Sequence, residues 1–324
     1  MISGLPFDDI RNLARDLPGP DEQAARAVAA VTDRFEATAG GLGRAGALAG
    51  WLAAWTGRPP RVTRPVVALF AGTHGVAGPA GSADNAAVRR LVERCAAGGG
   101  AVNQACVAGD LGLKVFDLAL DMPTGDFSRD AALDEKSAAA TAAFGMEATA
   151  GGTDLLVLAG YGGRGGRLAA TAVLAALHGG AAGRLDDADS AIVEKALRFH
   201  AGHLADPLEV LRRLGGREIA ALAGAILAAR AQKVAVILDG EAALAAAAVV
   251  KALASGGISH CVAGDAGSEL AQSAIETFGI EPVLRLGMAT GDGAGGAIAA
   301  GVIKAAALAH AGAAEFLKAT EKAG

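Results

Sequence analysis

Aromatic residues make up only 4% of this 324-residue chain, and tyrosine occurs once. Positive charge does not dominate either: 29 Lys and Arg stand against 34 Asp and Glu, a net charge of −5, with no basic block or stripe. A chain with neither a cationic surface for phosphates nor ring faces for bases is not expected to bind nucleic acid. Cysteine is limited to Cys95, Cys106 and Cys261. The odd count and the lack of a C-x-x-C spacing argue against a disulfide framework or a zinc site, so buried free thiols are expected. The opening stretch MISGLPFDDIRNLARDL is charged throughout and has no apolar h-region, so it is not expected to act as a signal peptide. The longest apolar runs, such as AALAAAAVVKALASGG, are short, Ala-rich and broken by Lys251. None reads as a membrane span, and a cytoplasmic protein is expected.

What the chain has is small apolar residues. Hydrophobic residues reach 52%, mostly Ala, Val, Leu and Ile, which is a globular composition with enough chain for a sizeable core. Up to about residue 56 the pattern is helical, as in DEQAARAVAAVTDRFEAT and GLGRAGALAGWLAAWTG, the second closed by Gly57 and Pro59–Pro60. Trp51 and Trp55 share a helix face, read as core. After Pro65 six short apolar runs recur: 65–72, 113–120, 154–160, 233–240, 258–265 and 282–288. They are continuous rather than alternating, which suits strands buried on both faces of a parallel sheet. Helical segments separate them. The expected fold is α/β: a Rossmann-like, doubly wound, mostly parallel sheet spanning residues 61–299. A smaller helical domain is expected from residues 1–60 and 300–324.

The runs end in AGTHG, ALDMPTGD, AGYGGRGG, LDGE, AGDAGSE and GMATGDG. All these glycine-rich or acidic ends fall at the carboxyl edge of the sheet, where open α/β sheets bind their ligands. Two of them fit G-x-G-x-x-G: GYGGRG from Gly160 to Gly165 and GDGAGG from Gly291 to Gly296. The first follows a strand and opens a helix, as a dinucleotide fingerprint should. Its partner is missing. No strand ending in an acid follows that helix, and no strand at all appears until Val234. Asp186 and Asp187 sit instead where a new helix starts, as caps. What survives is a general anion cradle at a helix N-terminus, from Gly162, Gly163, Gly165 and Gly166 with Arg164 or Arg167, or else a plain glycine turn.

Taken together, five segments resemble the nicotinate-nucleotide–dimethylbenzimidazole phosphoribosyltransferase family from about Gly41 onward. FAGTHGVAG (70–78) resembles F-A-G-D-H-G-V-A, and GGGAVN (98–103) resembles G-G-A-A-I-N. ADPLEVLRRLGGREIAALAGAILAA (205–229) is the closest stretch, and VILDG (236–240) resembles V-x-x-D-G. EPVLRLGMATGDGAGGAIA (281–299) resembles P-L-L-D-L-G-M-R-L-G-E-G-S-G-A-A-L-A. The resemblance implies transfer of phosphoribose from nicotinate mononucleotide to a benzimidazole-type base in cobamide lower-ligand biosynthesis, with no cofactor or metal, by a homodimer. The leaving pyridinium needs no acid, whereas the incoming azole must lose an N–H proton to a base. That base is implied at Asp292, where the family has Glu; read alone, Asp292 is equally a turn residue. Phosphate and ribose contacts are implied at Gly162, Gly163, Gly165, Gly166, Arg167, Lys195, Gly291 and Gly293. The base pocket is implied at His74, Ser82, Asp84, Asn85 and Met288.

Several positions depart from the family pattern. Thr73 replaces an Asp, Tyr161 replaces the Glu of the glycine loop, and Gly166, Arg167 and Leu168 replace N-T-T. The S-x-Y-P segment reads SADN, and Ala271 stands where a His is expected. A pocket walled by Asp84 and Asn85 would oppose an apolar base, which points to another acceptor. The departures also leave a second function in play: a catalytically weak or inactive paralogue that binds a nucleotide or base.

Overall fold

Alternate residues of the central strands feed two separate apolar cores, one on each face of the sheet. The computed structural model describes residues 5–76, 81–179 and 185–323. Its sheet has six parallel strands: β1 (Pro65–Ala71), β2 (Gly112–Asp117), β3 (Leu155–Tyr161), β4 (Ala235–Asp239), β5 (Cys261–Asp265) and β6 (Pro282–Leu284), in the order β2-β1-β3-β4-β5-β6. Every expected strand is present. Side chains point to opposite faces with period two. Ala68, Phe70, Leu156, Leu158, Val236 and Leu238 enter one core, and Val67, Leu69, Leu155, Val157 and Ile237 the other. This double burial explains the continuous apolar runs. The edge strand β2 is only partly covered.

Thirteen α-helices are seen among the described residues. α1 (Pro6–Arg15), α2 (Glu22–Ala39) and α3 (Arg44–Thr56) precede the sheet; α4 (Gly81–Ala96) and α5 (Ala101–Gly109) connect β1 to β2. α6 (Glu135–Gly145) leads to β3, and α7 (Gly163–His178), α8 (Asp187–His200), α9 (Pro207–Leu214) and α10 (Arg217–Ala231) lie between β3 and β4. α11 (Glu241–Leu253) and α12 (Glu269–Phe278) follow β4 and β5, and α13 (Ala294–Ala323) ends the chain. Their starts carry the caps the sequence offers: Asp21, Asp134, Asp186 and Ser268 each accept a first-turn backbone N–H. Small residues let helices touch backbone to backbone. A side chain at Gly145 or Gly224 would strike the facing backbone of α10 or α6.

α13 is long and apolar enough to cross a membrane by length and composition alone. Its first half is a core helix, with Ala297, Ala300 and Ile303 buried against the sheet. Its second half meets α2: Phe316 packs edge-on to Phe35, and the His310 ring nitrogen lies 3.4 Å from the Val28 carbonyl. Leu48, Leu52 and Trp55 of α3 share the core on that same face of the sheet. The three cysteines are free and buried, and burial pushes each thiol up, Cys106 to about 11.

Candidate active site

The strand order reverses between β1 and β3, because β2 lies on one side of β1 and all later strands lie on the other. Loops on either side of such a point diverge and leave a crevice at the carboxyl ends of the strands. A cavity of about 650 Å³ opens at that edge, beyond β3, β4 and β5. A second depression, of about 740 Å³, lies between α1 and the far end of α11 and includes none of these strand-end residues. Only the first has the position and the chemistry of an active site.

The floor of the first cavity comes from Asp239 at the end of β4 and Asp265 at the end of β5, with Gly240, Glu241 and Gly267 beside them. One wall is the glycine loop, Gly160 to Gly163, continuing through Arg164, Gly166 and Arg167 of α7. The opposite wall is Met288 to Gly291 with Gly295, and Asp84, Asp186 and Asp189 complete the rim. Six carboxylates therefore face two guanidinium groups. Tyr161, Ala242, Ala271, Met288 and Ala289 supply apolar surface.

The glycine loop is held from beneath by a buried His–Glu pair. His74 Nε2 and Glu218 Oε1 lie 2.8 Å apart, and neither side chain is exposed. Burial alone would raise the Glu218 carboxyl, but the His74 charge and hydrogen bond bring it below its ordinary value. Gly162 sits directly on the pair: a Cβ there would lie 2.6 Å from His74 Nε2 and 2.8 Å from Glu218 Oε1. Gly163 has φ of 61°, which a glycine adopts without strain. The chain then enters α7, whose first amides are already engaged. Arg164 N donates to Asp84 Oδ1 at 2.7 Å and Gly165 N to Asp84 Oδ2 at 2.9 Å.

Of the residues singled out in the sequence, Gly162, Gly163, Gly166, Arg167, Asp84, Met288 and Gly291 are brought together at the cavity. Gly165 sits just behind, through its bond to Asp84. Asn85 is buried and pinned to the His74 backbone, accepting from its N–H at 3.1 Å and donating to its carbonyl at 3.4 Å. The polarity of Asp84 and Asn85 is thus spent within the scaffold. Lys195 is on α8 outside the cavity lining, its Nζ 3.5 Å from Ser128 Oγ. Ser82 falls in the first turn of α4, and its side chain lies outside the described part of the structure. Gly293 packs against Val67 and Ala159 beneath the sheet edge.

Asp292 is 1% exposed and does not line the cavity, although Thr290, Gly291 and Gly295 around it do. Its Oδ1 accepts from Thr290 Oγ1 at 2.6 Å and from Ala294 N at 3.2 Å, and its Oδ2 from Val102 N at 3.3 Å. Asp292 thus ties the loop to the first turns of α13 and α5. The site residues missed in the sequence are Asp239, Glu241 and Asp265. Their signal was visible in LDGE and AGDAGSE, acids at strand ends on the binding edge. Asp239 is the one with unusual electrostatics. Burial, reinforced by the charges of Asp265 and Asp292, pushes its carboxyl up to about 7 against the pull of the Gly296 and Asp265 amides.

Residues 17–320 match a family model described as Phosphoribosyltransferase. A nicotinate-nucleotide–dimethylbenzimidazole phosphoribosyltransferase of Rhizobium etli (strain CIAT 652) is 52% identical, over 98% of this chain and 98% of its own. Its counterpart in Rhizobium meliloti (strain 1021) is 54% identical, over 98% of this chain and 97% of its own. Among solved structures, the enzyme of the same name from Thermus thermophilus superposes with a TM-score of 0.78 at 26% identity, covering 89% of this chain and 95% of that one. With end-to-end matches of this kind and a sheet-edge cavity in the expected place, the chain belongs to the nicotinate-nucleotide–dimethylbenzimidazole phosphoribosyltransferase family.

Proposed function

We propose that this chain transfers phosphoribose from nicotinate mononucleotide to dimethylbenzimidazole, for the lower ligand of a cobamide. The carrying observation is identity of 52–54% to enzymes of that name over nearly the whole chain. The cavity suits the chemistry. As the C1′–N bond to the pyridinium breaks, positive charge develops on the ribose, and a floor of carboxylates stabilises it. The 5′-phosphate goes to the rim, where Arg164 and Arg167 stand beside the glycine loop and Gly162, Gly163 and Gly166 allow close approach. Lys195 is a more distant cation on the neighbouring helix. Tyr161, Ala271 and Met288 give the azole ring an apolar wall. Because Asp84 and Asn85 bond to the protein's own backbone, they do not oppose an apolar base.

The same reading makes the protein a cytoplasmic homodimer. The exposed apolar side chains Val107 on α5 and Ile298, Val302 and Leu308 on α13 support an association surface. The experiment for function is turnover of purified protein with nicotinate mononucleotide and a panel of azoles, with products separated by chromatography and identified by mass. A dimethylbenzimidazole ribotide with release of nicotinate is expected. Tight binding of the mononucleotide without product from any azole would favour a non-catalytic paralogue instead.

A further inference from the structure

Asp84, Asp186, Asp189, Glu241 and Asp265 all have close hydrogen bonds or ion pairs at their carboxylate oxygens. Asp84 holds two α7 amides, and Asp186 caps α8 through Asp189 N at 2.9 Å. Asp189 is paired with Arg164. Glu241 accepts from Ser268 Oγ at 2.7 Å and faces Arg167 Nε at 3.7 Å. Asp265 accepts from Leu286 N at 2.7 Å on one oxygen and from Met288 N at 2.6 Å on the other. Behind the wall, Asp292 has both oxygens engaged. Donors and cations of this kind occupy the carboxylate lone pairs that would otherwise take up a proton. Asp239 has backbone amides near it but no cation or side-chain donor among the described residues, and it faces the cavity from the floor.

We propose that Asp239, rather than Asp292, accepts the azole N–H proton, with Asp292 positioning the loop that closes the cavity. This rests on the transfer reaction proposed above. The azole's free ring nitrogen attacks C1′ with its lone pair, and the C1′–nicotinate bond breaks with its pair returning to the pyridine nitrogen. The N–H proton passes to a carboxylate oxygen of Asp239 and from there to water at the cavity mouth. The fixed surroundings keep Asp239 basic. Gly295 and Gly296 of α13 and Gly264 of β5 pack closely against it, so no side chain from these positions reaches it. The charged groups facing it are Asp265 from β5, Asp292 from the α13 loop and Glu241 from α11, with Arg164 and Arg167 across the cavity. Burial, with the charges of Asp265 and Asp292, holds the proton affinity up, and a general base is most effective when it titrates near the working pH.

The test is the pH profile of kcat for wild type, D239N and D292N, each with dimethylbenzimidazole and with an N-methylated benzimidazole that has no N–H proton to lose. In wild type, kcat is expected to fall on the acid side of about pH 7, and D239N to lose that limb with a drop of roughly 100-fold or more. D292N should keep the limb. With the N-methylated acceptor the ratio of wild type to D239N should shrink towards one. A D239N enzyme that keeps both rate and limb, or a limb lost only in D292N, overturns the assignment while leaving the transfer reaction standing. A wild type without product sinks the transfer reaction itself. If D239N does not fold, a flat wild-type profile from about pH 5.5 to about pH 8.5 still overturns the proposal.

Discussion

Replacing Asp239 with asparagine should remove a destabilising ionisation along with the base. In the folded chain this carboxyl titrates at about 7, against 3.8 for an unperturbed one. Between those values the folded state binds a proton that the unfolded state has released. Wild-type stability therefore falls as pH rises through that window. From about pH 5 to about pH 8 the loss is on the order of 3 kcal/mol. Asparagine does not titrate, so D239N escapes the loss. Any fixed packing penalty of the amide is the same at both pH values and cancels when the difference between the two proteins is compared.

The assay is urea unfolding of both proteins at the two pH values, with slopes checked for equality so that midpoints report stability. D239N should gain on wild type by about 3 kcal/mol between the acid and the near-neutral measurement. An equal difference at both pH values would refute the reasoning. It would mean that Asp239 is ionised at ordinary pH and is a poor base.

Three other outcomes follow from the scaffold. E218A leaves His74 buried without its partner and should cost about 3–5 kcal/mol in thermal or urea unfolding. E218Q should cost less, and its deficit should shrink in acid, since stability from a depressed carboxyl is lost as pH falls through its folded value. G162A places a methyl group 2.7 Å from Gly166 Cα as well as against His74 and Glu218, so the loop must move. Steady-state kinetics should show kcat/KM down by roughly 100-fold. R167A should raise KM for nicotinate mononucleotide by roughly tenfold, the worth of one charge-assisted bond to phosphate; an unchanged KM would remove Arg167 from the phosphate site.

The sheet was legible because its physics is local. A strand covered on both faces must be apolar at every position, and the runs ending at Ala71, Tyr161, Asp239 and Asp265 show this directly. The carboxyl-edge residues followed from strand direction. What the sequence could not carry was which way a side chain turns. Motif position located the loop around Asp292, but the needs of two helix starts decided that its carboxylate points inward. Asp84 reads as pocket polarity until the fold brings it to α7 amides 80 residues away. What sets Asp239 apart is its burial beside the charges of Asp265 and Asp292, which depends on how the loops after β4, β5 and β6 fold together.

A phosphoribosyl donor makes opposite demands at its two ends, and the cavity separates them. The phosphate needs cations, yet cations near C1′ would oppose the charge that grows there. Here Arg164 and Arg167 stand on α7, at one wall, and both lean on carboxylates, Asp189 and Glu241. Those ion pairs screen the guanidinium charge from the floor while leaving donors for an incoming phosphate. At the floor, Asp265 holds the loop through the Leu286 and Met288 amides and lines the cavity. Such fixed anions stabilise a cationic centre without reorganising. The charges of Asp265 and Asp292 also raise the proton affinity of Asp239 between them. One arrangement of carboxylates therefore serves both halves of the reaction, the charge that appears on the sugar and the proton that leaves the azole.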